Sequence, residues 1–211
     1  RHYTVERRTE PRDDSAKDQD APETGGAGAD VGSLPPIKIG VISLLGQSGF
    51  GRLHANNPFT YLTNVIERVH KQTSIVLLDF HALTTAEKYT MFHHADGMVT
   101  AVIGSGQRVM TADAQVLAGG TAAICDAGRT GSQNSVAGYD PKPEIQKYLT
   151  QRSYKSEDSW DRLELQGVLL EIDEANGWVY SIESIRVPCA TPADRNGENG
   201  SEDDQDQNGG E

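Results

Sequence analysis

The chain has 211 residues, two cysteines and a formal net charge of −12, and 36% of its residues are apolar. Its length suits one domain with tails, and no apolar run approaches the roughly 18 residues that span a bilayer. An acidic chain without a basic stripe is a poor candidate for binding duplex nucleic acid. Cys125 and Cys189 lie too far apart in sequence for a metal-type pair and are too few for a disulfide framework, so we expect a cytoplasmic protein.

Apolar side chains are concentrated in the middle of the chain. Of the 43 Leu, Ile, Val and Phe residues, 40 lie between residues 35 and 187, whereas residues 188–211 have none and carry a net charge of −6. The flanking segments therefore cannot bury enough surface to offset the entropy of ordering them. We predict a disordered arm and linker over residues 1–36, one domain over 37–187, and an acidic disordered tail over 188–211.

The first half of this domain alternates between apolar runs and helical spacing. Residues 37–45 form a nearly continuous apolar run, which is typical of a buried strand. Apolar residues recur at helical spacing over 58–72, behind a proline, and predict a helix. A second buried strand follows at 74–80, and a Thr-Thr-Ala-Glu capping pattern then begins a helix over 84–94.

The second half of the domain is richer in strands. The elements predicted there are strands at 98–103 and 121–125, a short helix over 145–150, and hairpin strands at 165–172 and 178–187. Asn176-Gly177 is a strong signal for the turn of that hairpin. Strands that alternate with helices and then end in a hairpin favour an α/β fold, with mixed β-sheets flanked by helices.

Asp79 and His81 close the second predicted strand. Residues two positions apart point to the same face of a strand, and ligand-bearing side chains gather at the carboxyl ends of strands in open α/β sheets. A carboxylate and an imidazole suit a hard metal ion, or an Asp that orients a His. A hydrogen-bonded pair without a metal is the alternative, and the pattern alone favours it.

Two further sets of side chains are candidates for binding. The turn from Gly104 to Arg108 follows the third predicted strand, so its N–H groups could face a phosphate that Arg108 clamps. An ordinary turn with an exposed arginine is the simpler interpretation. His93 and His94 are neighbours on a predicted helix and point about 100° apart, so they cannot share one metal ion and are expected at the surface.

A collinear series of motifs resembles a known family. The motifs include Asn57-Pro-Phe59, Asp79-Phe-His-Ala82, Ala95-Asp-Gly97, Val109-Met-Thr-Ala-Asp113, Gly119-Gly-Thr-Ala122 and Asp126-Ala-Gly-Arg-Thr-Gly131. They are similar to the bacterial YmdB-like branch of the calcineurin-type metallophosphoesterases. The resemblance covers residues 37–187 and implies the second half of a metallophosphoesterase α/β sandwich. It also implies hydrolysis of 2′,3′-cyclic nucleotides or related phosphodiesters with two divalent metal ions, Mn, Fe or Mg.

The same resemblance implies which residues bind the metals. It assigns His81 to a metal-ligating histidine and places Gly106 and Arg108 where the family has two more histidines. A two-metal centre needs several donors for each ion. Glycine offers no side-chain donor and a guanidinium repels a cation, so we expect impaired hydrolysis. Arg108 is then a substrate-binding residue that clamps a phosphate.

In the family, the first half of the domain carries further metal ligands. The motifs above resemble only the second half, which the resemblance places from Ile37 onward, so those ligands have no counterpart among them. The chain begins with Arg1 rather than Met, which fits a fragment or a processed product. A sheet without its usual cover exposes apolar surface. The alternative to a phosphodiesterase is therefore a non-catalytic interaction or scaffold module, covered by a protein partner or in a homo-oligomer. A third interpretation is a nucleotide-binding protein that uses Arg108 and the loop Gly128–Gly131.

Overall fold

The computed structural model describes residues 36–50 and 56–189. Residues 1–35 of the arm and linker predicted over 1–36, and residues 190–211 of the acidic tail predicted over 188–211, lie outside the described residues. The described elements, in chain order, are β1 (Ile39–Leu45), α1 (Pro58–His70), β2 (Ile75–His81), α2 (Thr85–Ala95), β3 (Ala101–Ser105), β4 (Gln115–Val116), β5 (Ala122–Ile124), β6 (Gly131–Ser132), α3 (Pro141–Thr150), β7 (Leu163–Ile172) and β8 (Val179–Pro188).

A mixed five-stranded sheet forms the framework, in the order β1-β2-β3-β5-β4. Strands β1, β2, β3 and β5 run parallel to one another, and β4 runs antiparallel to β5. One face of the sheet is covered by α1 and α2, because alternate strand residues and the apolar faces of both helices meet there. Buried members of this core include Ile42, Val76, Leu78, Phe80, Leu62, Ile66, Met91 and Phe92. The α/β fold predicted from the sequence is confirmed.

The second sheet has the order β6-β7-β8 and packs on the other face of the first sheet. Buried Val179 of β8 meets Ala101 and Ala122 there, and Leu170 and Ile182 of the hairpin pack around them. All pairings in this sheet are antiparallel. The hairpin therefore covers the central part of the parallel sheet and leaves β1, at its edge, with one face exposed.

The predicted hairpin turn is present and is closed by Asp173. Its carboxylate accepts hydrogen bonds from the N–H of Ala175 (2.8 Å) and the amide of Asn176 (3.1 Å). The hydrogen bond from Ala175 and that from Tyr180 hold the pKa of Asp173 below its ordinary value. Gly177 has a positive φ of 78°, and a Cβ there would overlap the carbonyl oxygen of Ser74. Glycine is therefore required at this position of the turn.

The third predicted strand is displaced along the chain. The sequence places it at 98–103, whereas β3 begins at Ala101. Met98 and Val99 instead donate their N–H groups to the carbonyl of Ala95 and so finish the last turn of α2. The two-residue strands β4 and β6 are not predicted from the sequence at all, because two residues are too short to show a period.

A buried ion pair joins α2 to the carboxyl end of the parallel sheet. Lys88 of α2 and Asp126, which follows β5, have side chains that are 0% and 1% exposed, with Nζ and Oδ2 3.5 Å apart. The same carboxylate accepts the N–H of Gln107 at 2.7 Å and that of Gly128 at 2.9 Å. One carboxylate thus positions the loop after β3 and the loop after β5.

We expect Asp126→Ala to lower the free energy of unfolding by about 3–5 kcal/mol, since it leaves the Lys88 ammonium buried without a counter-charge. Asp96→Ala is the matched control, because the Asp96 carboxylate also accepts two backbone N–H groups but faces no buried ammonium. That change should cost about 1 kcal/mol. Urea unfolding followed by circular dichroism measures both values. Equal losses of unfolding free energy in the two variants would show that the buried ion pair does not account for the destabilisation.

Candidate functional site

Three polar side chains come together at the carboxyl ends of the central parallel strands. Asp79 and His81 extend from the end of β2, and Ser105 is the last residue of β3, directly opposite His81. On the other side of β2, Ser43 of β1 lies opposite Asp79. All of these side chains point to the face of the sheet that the helices do not cover. The expectation that Asp79 and His81 share one face is confirmed.

Asp79 and His81 are joined through Ser105 in the described hydrogen bonds. The Ser105 hydroxyl donates to Asp79 Oδ1 at 3.3 Å, and Nδ1 of His81 lies 3.0 Å from Ser105 Oγ. The Ser43 hydroxyl donates to Asp79 Oδ2 at 3.0 Å. Of these four residues, the sequence predicted only Asp79 and His81. Ser43 and Ser105 escaped notice because their place beside Asp79 depends on the register between strands.

The loop after β3 has an unusual backbone beside His81. Gly106 has a φ of +116°, and a Cβ there would lie 2.8 Å from the carbonyl oxygen of Ala82 and 3.3 Å from Cε1 of His81. The N–H of Gln107 is held by Asp126. A side chain at position 106 would therefore be strained and would collide with backbone.

Arg108 ends this loop in the left-handed region, with a φ of +59°. Its side chain is exposed, and its guanidinium makes no hydrogen bond or ion pair with the residues that the structure describes. Its carbonyl accepts a hydrogen bond from Nη1 of Arg129 at 3.0 Å. The structure thus places His81 beside Gly106 and Arg108 two residues further along a turn with a fixed backbone.

The glycine-rich loop after β5 reaches the same region through Arg129. Besides the carbonyl of Arg108, this guanidinium contacts the carbonyl of Ser132 and the hydroxyl of Ser135. Its Nε is buried and has no hydrogen-bond partner among the residues that the structure describes. Both terminal nitrogens of Arg129 are therefore occupied by protein groups, whereas the guanidinium of Arg108 has no partner within residues 36–50 and 56–189 and is exposed to a ligand. The sequence did not indicate this contact between the two loops.

A third loop is fixed by Glu87 of α2. Its carboxylate accepts the N–H groups of Gln47 at 2.6 Å and Ser48 at 3.0 Å, in the loop that follows β1. The Phe50 ring in that loop lies 5.7 Å from the His81 ring, between centroids, at an angle of 32°. The His81 imidazole is thus bordered by an aromatic ring, the hydroxyl of Ser105 and the backbone of Gly106.

The remaining candidate side chains do not reach this site. His93 and His94 are exposed on α2, as expected, and Nε2 of His94 bonds the carbonyl of Phe59. Cys125 is buried; its burial, and then its hydrogen bond to Asp113, raise the pKa of the thiol to about 12. Burial on its own would raise the pKa of Asp113, but hydrogen bonds with Thr111 and Cys125 hold it below the ordinary value. The Cys125 thiol is therefore protonated at neutral pH and is no nucleophile.

The side chains of this site do not fit a two-metal centre. Within residues 36–50 and 56–189, no three His, Cys, Asp or Glu side chains are arranged to hold a metal ion. Both oxygens of Asp79 accept hydroxyls, Nδ1 of His81 is bound to Ser105, and Asp126 is paired with an ammonium. Nε2 of His81 and the remaining lone pairs of Asp79 are then the metal-binding atoms left among these groups, and they are too few because two ions need several ligands each. Over the same residues, no helix is long and apolar enough to cross a membrane.

Comparison with known proteins gives related phosphoesterases. A 2′,3′-cyclic-nucleotide 2′-phosphodiesterase from Bacillus subtilis is 31% identical over 150 residues, which cover 71% of this chain and 56% of that protein. A Mycoplasma genitalium protein, which carries the name phosphatase/phosphodiesterase as an assumed activity, is 33% identical over 163 residues. These residues cover 77% of this chain and 57% of that protein. The chain thus spans little more than half the length of these relatives.

The crystal structure of a phosphatase from Mycoplasma pneumoniae superposes with a TM-score of 0.65 at 30% identity, over 74% of this chain and 55% of that one. This similarity supports the metallophosphoesterase fold. A family model described as YmdB-like protein matches residues 18–185. The match begins before Ile37, where the motifs had placed the start of the resemblance. Because it covers well over half of the sequence, this chain belongs to the YmdB-like family.

Proposed function

We propose that this domain binds the phosphate group of a phosphodiester or nucleotide and does not hydrolyse it by the two-metal route. The relatives at 31% and 33% identity are named as phosphodiesterase and phosphatase, which supports a phosphoester as the ligand. The side chains around His81 support the second part, because they offer too few donors for two ions. A 2′,3′-cyclic nucleotide is the first ligand to examine.

The observation that carries this proposal is the guanidinium of Arg108, which is exposed and has no partner in the part of the chain that the structure describes. It stands on a turn whose backbone is held by Asp126 through Gln107 and by Arg129 through the Arg108 carbonyl. A guanidinium presents paired N–H donors that match two phosphate oxygens, and it stays charged at every physiological pH. Arg108 therefore supplies the positive charge that a metal ion would otherwise bring to a phosphate, without the metal's ability to activate water.

The expected result of Arg108→Gln is a loss of affinity for 2′,3′-cyclic AMP of about 10-fold to 100-fold, the weight of a charge-assisted hydrogen bond. Isothermal titration calorimetry in the presence of EDTA measures this affinity without metal ions. Arg152→Gln is the matched control, since Arg152 is exposed just beyond α3 and its loss changes the net charge equally. Wild-type affinity that disappears with EDTA, or equal losses in both variants, would contradict the proposal.

The purified chain should not turn over bis-p-nitrophenyl phosphate with Mn²⁺. The double substitution Gly106→His with Arg108→His should not restore turnover, because a Cβ at position 106 would lie 2.8 Å from the carbonyl oxygen of Ala82. The strained φ of Gly106 adds to this collision. Release of p-nitrophenol measures the rate. Mn²⁺-dependent turnover by the unmodified chain, abolished by His81→Ala, would refute this proposal.

A second candidate function is an interaction module that is covered by another polypeptide. The outer face of the hairpin exposes Leu165, Leu169 and Val187 at 42%, 58% and 52%, and Leu165 lies opposite Val187. Val41 of the edge strand β1 is 46% exposed. Apolar patches of this kind mark protein contacts. We propose as the partner a polypeptide equivalent to the remaining length of the relatives.

Size-exclusion chromatography with light scattering tests this second candidate. The chain mixed with the unmatched part of the Bacillus subtilis relative should elute as a 1:1 complex, and Leu165→Ser with Leu169→Ser should weaken that complex. Tyr148→Ser, which removes an exposed ring from α3, is the control and should leave the complex intact. A monodisperse chain that forms no complex and binds no apolar dye would exclude the interaction module.

A further inference from the structure

We propose that Ser105 is a positioning residue that fixes the tautomer of His81, with the proton on Nδ1 and an unprotonated Nε2 facing the ligand. A ligand with a hydroxyl group next to its phosphate, such as a nucleoside 2′- or 3′-monophosphate, would then donate a hydrogen bond to Nε2. This second step rests on the proposed binding of a phosphoester at Arg108. The first step concerns the free protein and can be tested without any ligand.

The number of protons available in the hydrogen-bonded series Asp79, Ser105 and His81 determines the tautomer of His81. A serine hydroxyl has one hydrogen, and a carboxylate can only accept. The hydroxyl of Ser105 donates to Asp79 Oδ1 at 3.3 Å, so it can only accept from the imidazole nitrogen that lies 3.0 Å away. That nitrogen is Nδ1 of His81, which must therefore carry the proton. A neutral imidazole then has no proton on Nε2.

The opposite arrangement is less favourable because it would strip a hydrogen bond from a charged group. If Ser105 donated to Nδ1 of His81, its oxygen would face Asp79 Oδ1 with no hydrogen between them. The other oxygen of Asp79 accepts a hydrogen bond from Ser43, and no contact among the described residues joins Ser43 to His81. Hydrogen bonds to an ionised acceptor are the stronger ones. Asp79 therefore orients the Ser105 hydroxyl, and this hydroxyl orients the imidazole.

The free nitrogen of His81 then determines the chemistry of the group that meets it. His81 is half-buried, and its Nε2 has no hydrogen-bond partner in the part of the chain that the structure describes. The oxygens of an ionised phosphate are acceptors, so they do not pair with an unprotonated Nε2. A hydroxyl group donates to it, while Arg108 takes the phosphate. Opening a 2′,3′-cyclic phosphodiester with water creates such a pair, a monophosphate beside a free hydroxyl.

Nitrogen-15 NMR of histidine-labelled protein tests the tautomer directly. Spectra at about pH 8.5 keep imidazoles neutral, since their ordinary pKa is about 6.5. The chain has six histidines, and His81→Ala identifies the signals of His81. We expect a protonated Nδ1 and a pyridine-type Nε2 in the unmodified chain.

Three serine variants distinguish a positioning role from a structural one. Ser105→Ala should shift the His81 signals toward the other tautomer, whereas Ser105→Thr keeps the hydroxyl and should retain the original pattern. Ser43→Ala is the matched control, because it removes a hydroxyl from Asp79 without touching the imidazole. A proton on Nε2 in the unmodified chain, or no change in Ser105→Ala, would overturn the assignment of Ser105.

Calorimetry with a matched pair of ligands tests whether a ligand hydroxyl contributes to binding. Adenosine 3′-monophosphate should bind about three- to tenfold more tightly than its 2′-deoxy analogue, the usual weight of one hydrogen bond. This preference should vanish in Ser105→Ala and return in Ser105→Thr. Equal binding of the two ligands would refute the predicted hydrogen bond between a ligand hydroxyl and Nε2 of His81. If neither ligand bound, the proposed function itself would fail, and the NMR result would still decide the role of Ser105.

Discussion

The buried carboxylate of Asp126 is the constraint on which the geometry of the site depends. It neutralises Lys88 inside the protein and receives an N–H from each of two loops, at Gln107 and Gly128. A charge with so little access to water tolerates few alternative arrangements, because each lost partner leaves a desolvated group behind. The backbone on which Arg108 stands is therefore positioned by an ion pair whose two side chains are 0% and 1% exposed.

Replacing a metal ion by a guanidinium changes what a phosphate site can do. Both supply positive charge, and both can hold two phosphate oxygens at once. A metal ion also lowers the pKa of a bound water and so produces the attacking hydroxide, which a guanidinium cannot do. The proposed use of Arg108 beside a single imidazole would thus keep phosphate recognition and give up the nucleophile. Under the proposed function, binding and hydrolysis, which a two-metal centre couples, would be separated in this chain.

The sequence predicted most of the fold because local patterns determine most of it. The apolar runs of β1 and β2, the spacing in α1, and the turn at Asn176-Gly177 each carry a signal within a few residues. The site was predicted only in part, since Ser105 reaches Asp79 through the pairing of two separate strands. The positive φ of Gly106 was equally invisible, because it follows from the loop that Asp126 holds.

The backbone at Gly106 also limits which side chains the site can accept. A φ of +116° is a conformation that only glycine adopts without strain, and the space where a side chain would begin is taken by the carbonyl of Ala82. Placing an imidazole there would require the loop to be rebuilt first, so a single substitution at this position cannot add a ligand without moving the backbone.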